Sequence, residues 1–98
     1  MIMNFIYDNN RIYAKDESGL LLAEVTFPAR DDLRVDINHV YVDESLRGQG
    51  IASNLMLEVY NFIKAKNLKI VAKCPYAISW FKKHEEYQDI VINVKTKK

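Results

Sequence analysis

A strand pattern, a glycine-containing turn and a helix pattern follow one another between residues 33 and 67, and this order strongly constrains the fold. Residues 33–42 alternate apolar and polar side chains until the alternation changes phase near His39 and Val40, which predicts a strand with a β-bulge. Over residues 51–67, apolar side chains recur at the spacing of one helical face. The short apolar segment at 68–73 is predicted to be a strand. The strand–helix–strand unit therefore predicts a crossover between two parallel strands, which is right-handed in nearly all proteins.

Shorter elements flank this unit. An Asp-Asn-Asn turn at 8–10 separates two apolar and aromatic segments, which predicts a hairpin over 4–13. A third strand is expected at 20–27, and a second helix at 76–83 with Pro75 in its first turn. The predicted fold class is α/β of the α+β kind: a mixed, mostly antiparallel sheet with two helices.

Length and composition limit the kind of protein. The 98 residues fit one domain, predicted at 1–94, with a short basic tail at 95–98. Hydrophobic residues make up 49% and charged residues 28% of the chain, which is typical of a soluble globular protein. The formal net charge of +1 argues against a nucleic-acid partner, and no apolar run is long enough to span a membrane.

Cysteine content indicates the compartment. Cys74 is the one cysteine and cannot form an internal disulfide, and the first residues do not resemble a secretion signal. A cytoplasmic location is therefore predicted. Nothing in the sequence suggests a large apolar interface, so a monomer is expected, and no metal site is assigned.

The turn between strand and helix contains two of the three glycines of the chain, Gly48 and Gly50, beside Arg47. The first N–H groups of a helix are unpaired and point outward, so a helix start attracts anions. Glycine lets the main chain approach phosphate oxygens, and an arginine adds charge-assisted hydrogen bonds. This predicts a phosphate or pyrophosphate site at 48–52. The alternative, a purely structural turn with a solvated arginine, stays open at this point.

The same turn resembles a known family signature. The segment RGQGIA at 47–52, preceded by the apolar strand end VYV at 40–42, is similar to the Arg/Gln-x-x-Gly-x-Gly/Ala signature of the GCN5-related N-acetyltransferases. It differs from the three-glycine dinucleotide fingerprint and from the phosphate loop that ends in Gly-Lys-Ser/Thr. The likeness is closest to very small, YjdJ-type members, through DINH at 36–39 and the cysteine that opens CPYAISWFKKHEEYQD at 74–89.

The resemblance implies acetyl-coenzyme A as cosubstrate. In the family the turn holds the pyrophosphate, and the pantetheine arm inserts where two parallel strands splay apart. The strands implied here are the one that ends at Val42 and the one that begins at Leu68. The cofactor-binding residues implied are Tyr41, Val42, Arg47, Gly48, Gln49, Gly50, Ile51, Ala52 and Tyr76.

The resemblance also raises a question about the catalytic acid. Larger members often carry Asn-x-x-Ala-x-x-x-Tyr in the last helix, and the tyrosine protonates the leaving thiolate. Aligned on Ala77, this chain has Cys74 in the asparagine position and Phe81, which has no proton to donate, in the tyrosine position. Either Cys74, Tyr76 or solvent then supplies the proton, or catalysis is slow.

Cys74 and His39 are the candidate catalytic residues. A helix start favours the thiolate form of a cysteine, and an imidazole can act as a general base. The alternatives are structural: Cys74 as a small core residue, and His39 as a strand residue that bonds the main chain beside the bulge.

Two classes of function remain. The first is an acetyl-coenzyme A-dependent N-acetyltransferase acting on a primary amine, with protein lysine as one acceptor, by direct attack or through an acetylated Cys74. The second is a module that binds coenzyme A or acyl-coenzyme A without efficient catalysis. The resemblance implies that the chain is too short for the N-terminal helices that build the acceptor pocket in larger members. This expected lack of a pocket and the missing tyrosine favour the second class, whereas Cys74 and His39 in the cleft oppose it.

Overall fold

The computed structural model describes residues 4–95. The strands are β1 (Ile6–Asp8), β2 (Arg11–Lys15), β3 (Leu21–Thr26), β4 (Arg34–Ile37), β5 (His39–Val42) and β6 (Lys69–Ala72), and the helices are α1 (Ile51–Ala65) and α2 (Pro75–Lys83). This order confirms the predicted mixed sheet with two helices. Within the described range, no helix is long and apolar enough to cross a membrane.

Four strands form an antiparallel sheet in the order β1-β2-β3-β5. The predicted hairpin is confirmed: Asn10 takes the left-handed conformation that its turn requires, with φ 56°. The Asn10 side-chain amide also donates to the Phe27 carbonyl at 2.8 Å, which ties the turn to the end of β3.

The parallel pair consists of β4 and β6, with Val35 opposite Ile70 and Ile37 opposite Ala72. Helix α1 lies between them in the chain, so the predicted parallel crossover is confirmed. Pro75 begins α2, as expected for a residue that lacks an N–H.

A β-bulge separates β4 from β5. The Asn38 N–H donates to the Thr26 carbonyl at 3.2 Å, yet the ladder partner of Thr26 is His39. Two residues of one strand therefore face one residue of its neighbour, and the predicted bulge is confirmed. The extra residue restarts the alternation, so both Ile37 and Val40 point to the core side.

One core lies between the sheet and the helices. Helix α1 buries the apolar face that its sequence spacing predicts, and α2 buries Ala77, Trp80 and Phe81. Phe81 is fully buried, and removing such a ring typically costs about 3–5 kcal/mol of unfolding free energy. Side chains on the other side of the antiparallel sheet, which we call the outer face, are mostly polar or aromatic and at least partly exposed; they include Tyr13, Glu24 and Tyr41.

A segment after α2 borders β6 on its second edge. The Ile70 N–H donates to the Ile90 carbonyl at 2.8 Å, and the Ile92 N–H donates to the Ile70 carbonyl at 2.9 Å. The side-chain amide of Asn93 then bonds both main-chain groups of Ala72, accepting from its N–H at 2.9 Å and donating to its carbonyl at 2.8 Å. β6 therefore has a neighbour on both edges.

The tail predicted at 95–98 falls mostly outside the described residues. Lys95, the part that is described, is exposed and donates through Nζ to the Gln88 carbonyl.

Candidate functional site

A gap opens where β5 and the start of α2 part. The Ile37 carbonyl accepts from both the Lys73 N–H at 2.9 Å and the Cys74 N–H at 3.0 Å. In the part of the chain that the structure describes, no later main-chain bond joins these two segments. The chain continues as β5 beside β3 on one side and turns into α2 at Pro75 on the other. This is the predicted separation of the parallel strands.

One edge of β5 faces this gap. The Asp43 N–H donates to the Leu22 carbonyl at 2.8 Å, so the odd-numbered residues of β5 direct their main-chain groups to β3. Because these directions alternate along a strand, the N–H and carbonyl groups of Val40 and Val42 point to the gap. They can pair with an extended polar ligand.

The turn after β5 has a constrained shape. It begins with a 3-10 turn, Glu44–Leu46, in which the Asp43 carboxylate accepts from the Ser45 N–H at 3.1 Å. Gly48 and Gly50 follow with φ of 84° and 76°, a region that side chains with a Cβ rarely adopt. A Cβ on either glycine would meet nothing within 4 Å, so backbone conformation, and not crowding, requires glycine there.

The start of α1 is electropositive. Gly50 is the N-cap and offers no side-chain hydrogen bond, and the first turn of the helix contains no acidic residue. The first bond of the helix ladder runs from the Asn54 N–H to the Gly50 carbonyl at 3.0 Å, which leaves the N–H groups of 51–53 without helical partners. These groups and the helix dipole favour an anion at this end.

Two adjoining cavities, of about 240 and 270 Å³, connect the turn with the edge of β5. Both are lined by Val42, Arg47, Ala52 and Tyr76. One cavity reaches the glycine turn and the other reaches Val40 and Tyr41, so together they form a continuous groove.

The groove brings together most of the residues that the sequence predicted to bind the cofactor. Its lining includes Tyr41, Val42, Arg47, Gly48, Gly50, Ile51, Ala52 and Tyr76. Gln49 is not in the lining; its side chain is exposed on the turn. Their role in binding stays a prediction.

Neither Cys74 nor His39, the predicted catalytic residues, is in the groove lining, and the two side chains lie on different sides of the sheet. Cys74 is the N-cap of α2, is half-buried and packs against the core. The His39 side chain is 52% exposed on the outer face, with Nε2 3.4 Å from Oε1 of Glu24, and Arg11 binds the other carboxylate oxygen of Glu24. In the described residues no hydrogen bond joins Cys74 to His39, so the structure does not assemble a preformed pair.

Two tyrosines, Tyr41 and Tyr76, are in the groove lining. Partial burial raises the pKa of Tyr76. Removal from water, followed by the charge of Asp43, raises the pKa of Tyr41, whose hydroxyl donates to Asp43 Oδ1 at 3.3 Å. Both phenols therefore keep their protons at neutral pH. Phe81 lies in the core, so the last helix presents Tyr76 and not residue 81 to the groove.

Sequence reasoning missed Val40, Leu46 and Ser53, which also line the groove. Leu46 is buried, and an apolar residue inside a polar loop was the available signal. Ser53 accepts a hydrogen bond from Nε1 of Trp80 at 2.8 Å. No local pattern joins two residues that lie so far apart in the chain.

Comparisons with known proteins agree with this geometry. The sequence profile of the GCN5-related N-acetyl-transferases matches residues 11–90. A GCN5-like protein from Staphylococcus aureus, solved by NMR, is 30% identical and superposes with a TM-score of 0.80, over 95% of this chain and 91% of that one. No curated protein matches the sequence.

Larger proteins share part of the fold. The GNAT family N-acetyltransferase YhbS from Escherichia coli, solved in complex with CoA, is 26% identical with a TM-score of 0.55, over 63% of this chain and 38% of that one. A GNAT family acetyltransferase from Elizabethkingia anophelis with acetyl-CoA bound is 24% identical with a TM-score of 0.55, over 63% of this chain and 40% of its own.

Proposed function

Because the chain belongs to the GCN5-related N-acetyltransferase family, we propose that it binds acetyl-coenzyme A and transfers the acetyl group to a primary amine. The observation that carries the proposal is the continuous groove from the glycine turn to the open edge of β5. The coenzyme A complex of the E. coli relative supports the choice of cosubstrate.

The turn is suited to the pyrophosphate. Three unpaired N–H groups at 51–53, the helix dipole and the Arg47 guanidinium all favour negative charge there. The pantetheine arm would run along β5, where its amides can pair with the main-chain groups of Val40 and with the Val42 N–H, while the Val42 carbonyl already accepts from Arg47 Nε. That path directs the thioester to the gap beside Cys74.

The chemistry at the gap requires a proton donor and a proton acceptor. In the direct route the amine attacks the thioester carbonyl, the C–N bond forms, the C–S bond breaks and the thiolate of coenzyme A takes up a proton. Tyr76, protonated at neutral pH, or Cys74 would supply that proton, and His39 would remove one from the amine. In the second route the Cys74 thiolate attacks the thioester first, the C–S bond to coenzyme A breaks and coenzyme A leaves as its thiolate. The amine then attacks the acetyl-Cys74 thioester and loses a proton, and the breaking C–S bond restores the Cys74 thiolate.

The outer face is open to the acceptor. Both helices pack on the core side of the sheet, and His39, Tyr41 and Glu24 are partly exposed on the other side. Such an open approach suits an amine on a large partner, so we propose a protein lysine as acceptor. The monomeric state and the cytoplasmic location remain predictions.

A second candidate is a coenzyme A-binding module without efficient turnover. The observation that favours it is the separation of Cys74 and His39 onto different faces, together with the buried Phe81 in place of a tyrosine.

Turnover distinguishes the two candidates. Release of free coenzyme A from acetyl-coenzyme A is measured with a panel of small amines and lysine peptides, beside a binding titration of coenzyme A. Binding with amine-dependent release supports the enzyme. Binding without release on any amine supports the module, and no binding at millimolar coenzyme A contradicts both.

A further inference from the structure

The indole of Trp80 reaches from α2 to the first turn of α1. Its Nε1–H donates to Oγ of Ser53 at 2.8 Å. Ser53 lines the cavity at the glycine turn, three residues after the N-cap Gly50. A buried aromatic side chain is thus bonded to a residue of the groove lining that directly follows the predicted phosphate site at 48–52.

Trp80 is held in a fixed orientation. It is 5% exposed, and its ring stacks on His84 at 4.1 Å and on Tyr87 at 5.5 Å between centroids. His84 also bonds the Trp80 carbonyl through Nδ1 at 2.7 Å. The direction of the indole N–H is therefore set by packing on both the ring and the main chain.

The bond determines what the Ser53 hydroxyl can do. A serine hydroxyl donates one hydrogen bond and accepts up to two, whereas an indole can only donate. Ser53 must therefore accept from Trp80, and its own proton remains for another partner. In residues 4–95 the hydroxyl makes no bond as a donor, such as the one to the preceding helical turn that serines often form. An anion at the helix start could accept this proton.

We propose that Ser53 donates its hydroxyl proton to a phosphate oxygen of coenzyme A, and that Trp80 is a positioning residue that orients this hydroxyl. The inference rests on the proposed function and adds a side-chain contact to the main-chain N–H groups of the turn. It also links the end of α2 to the phosphate site, because the same ring packs on His84 and Tyr87.

Paired titrations test the contact. The ligands are coenzyme A and S-acetylpantetheine, which lacks the pyrophosphate, and binding is followed by NMR shifts. Ser53→Ala should weaken coenzyme A binding about ten- to hundredfold, the usual effect of a lost hydrogen bond to a charged group, and leave S-acetylpantetheine within about twofold. Trp80→Phe keeps an aromatic ring but removes the N–H, and should weaken coenzyme A binding about threefold to tenfold with the same selectivity.

Two variants serve as controls. Ser53→Thr keeps the hydroxyl and should restore coenzyme A binding to near the parent value. Ser79→Ala makes the same change as Ser53→Ala at an exposed position of α2 outside the groove lining, and should change nothing.

The outcomes separate this inference from the function itself. If the parent binds no coenzyme A, the proposed function fails. If the parent binds it and Ser53→Ala binds equally well, or loses both ligands alike, the phosphate contact is wrong. If Trp80→Phe keeps full affinity while Ser53→Ala loses it, the positioning role of Trp80 is wrong.

Discussion

The side chain of Arg47 folds back along the groove, and its Nε–H donates to the main-chain carbonyl of Val42 at 3.2 Å. This bond fixes the guanidinium at the junction of the turn and β5 and leaves the terminal N–H groups for a ligand. The planar fork of an arginine makes this double use possible, because a lysine ammonium has no separate Nε donor.

Arg47→Lys should therefore weaken coenzyme A binding about tenfold although the charge is kept, since a charge-assisted bond and its geometry are lost. Isothermal titration at low salt measures the change. Arg34→Lys, at a residue paired with Asp31 and outside the groove lining, should leave the affinity unchanged. An unaltered affinity in Arg47→Lys would show that only the charge matters.

The glycines of the turn can be tested against a distant glycine of similar conformation. Gly50 has φ 76° and Gly19 has φ 92°, and an added Cβ would meet nothing within 4 Å at either position. Alanine at each should cost about 1–2 kcal/mol of unfolding free energy, from backbone strain alone. Gly50→Ala should also weaken coenzyme A binding more than tenfold, because its methyl group enters the groove. Equal binding by the two variants would mean that the turn is only structural.

The role of Cys74 is tested by the rate of acetyl transfer and by the mass of the protein after incubation with acetyl-coenzyme A. Cys74→Ala should lower the rate of acetyl transfer about a hundredfold, the typical effect of losing a general acid or a nucleophile, while coenzyme A still binds. Mass spectrometry of the parent incubated with acetyl-coenzyme A shows whether an acetyl group stays on Cys74. An adduct supports the route through the cysteine, and its absence with a slow variant supports direct attack. A variant that keeps the parent rate, with no adduct, would assign Cys74 to packing.

Tyr60, Lys64 and Asp89 form a network that predicts a pH effect. The bond from Lys64, and then the one from Tyr60, lower the pKa of Asp89. A carboxyl group with a lowered pKa in the folded state stabilises the protein above about pH 4, and this stabilisation is lost as pH falls through the folded pKa. Because the Asp89 side chain is 46% exposed, solvent screening limits its contribution to at most about 1 kcal/mol.

Asp89→Asn should then be less stable than the parent at pH 7, and the two should converge on acidification. Urea unfolding at pH 7 and pH 3 measures this difference. Asp32→Asn, which changes an exposed carboxylate that makes no ion pair in the described residues, should match the parent at both values. A constant deficit of Asp89→Asn across this range would refute the ionic origin.

Local chemistry was sufficient to predict much of the fold. The Asp-Asn-Asn turn, the phase change at His39 and the helical spacing from Ile51 each depend on neighbours in sequence, and all three appear as expected. The helix ends at Ala65 and not at 67, because Asn67 adopts φ 60° and leaves the helical conformation.

Long-range contacts could not be predicted. Ile90, Val91 and Ile92 are β-branched and suit a strand, but the sequence could not show that this segment lies beside β6, where main-chain bonds to Ile70 and the Asn93 amide hold it. The bond between Trp80 and Ser53 and the separation of Cys74 from His39 also depend on how helices and sheet pack. The RGQGIA turn located the groove, but sequence spacing could not show which side chains complete it.

The pairing of Asn93 with Ala72 also has a consequence for solubility. An unprotected strand edge can pair with the same edge of another molecule and begin a growing aggregate. At the end of β6 a single amide side chain occupies both main-chain groups that such a neighbour would need. We therefore expect Asn93 to oppose association at this end of β6, while the edge of β5 stays open for its ligand.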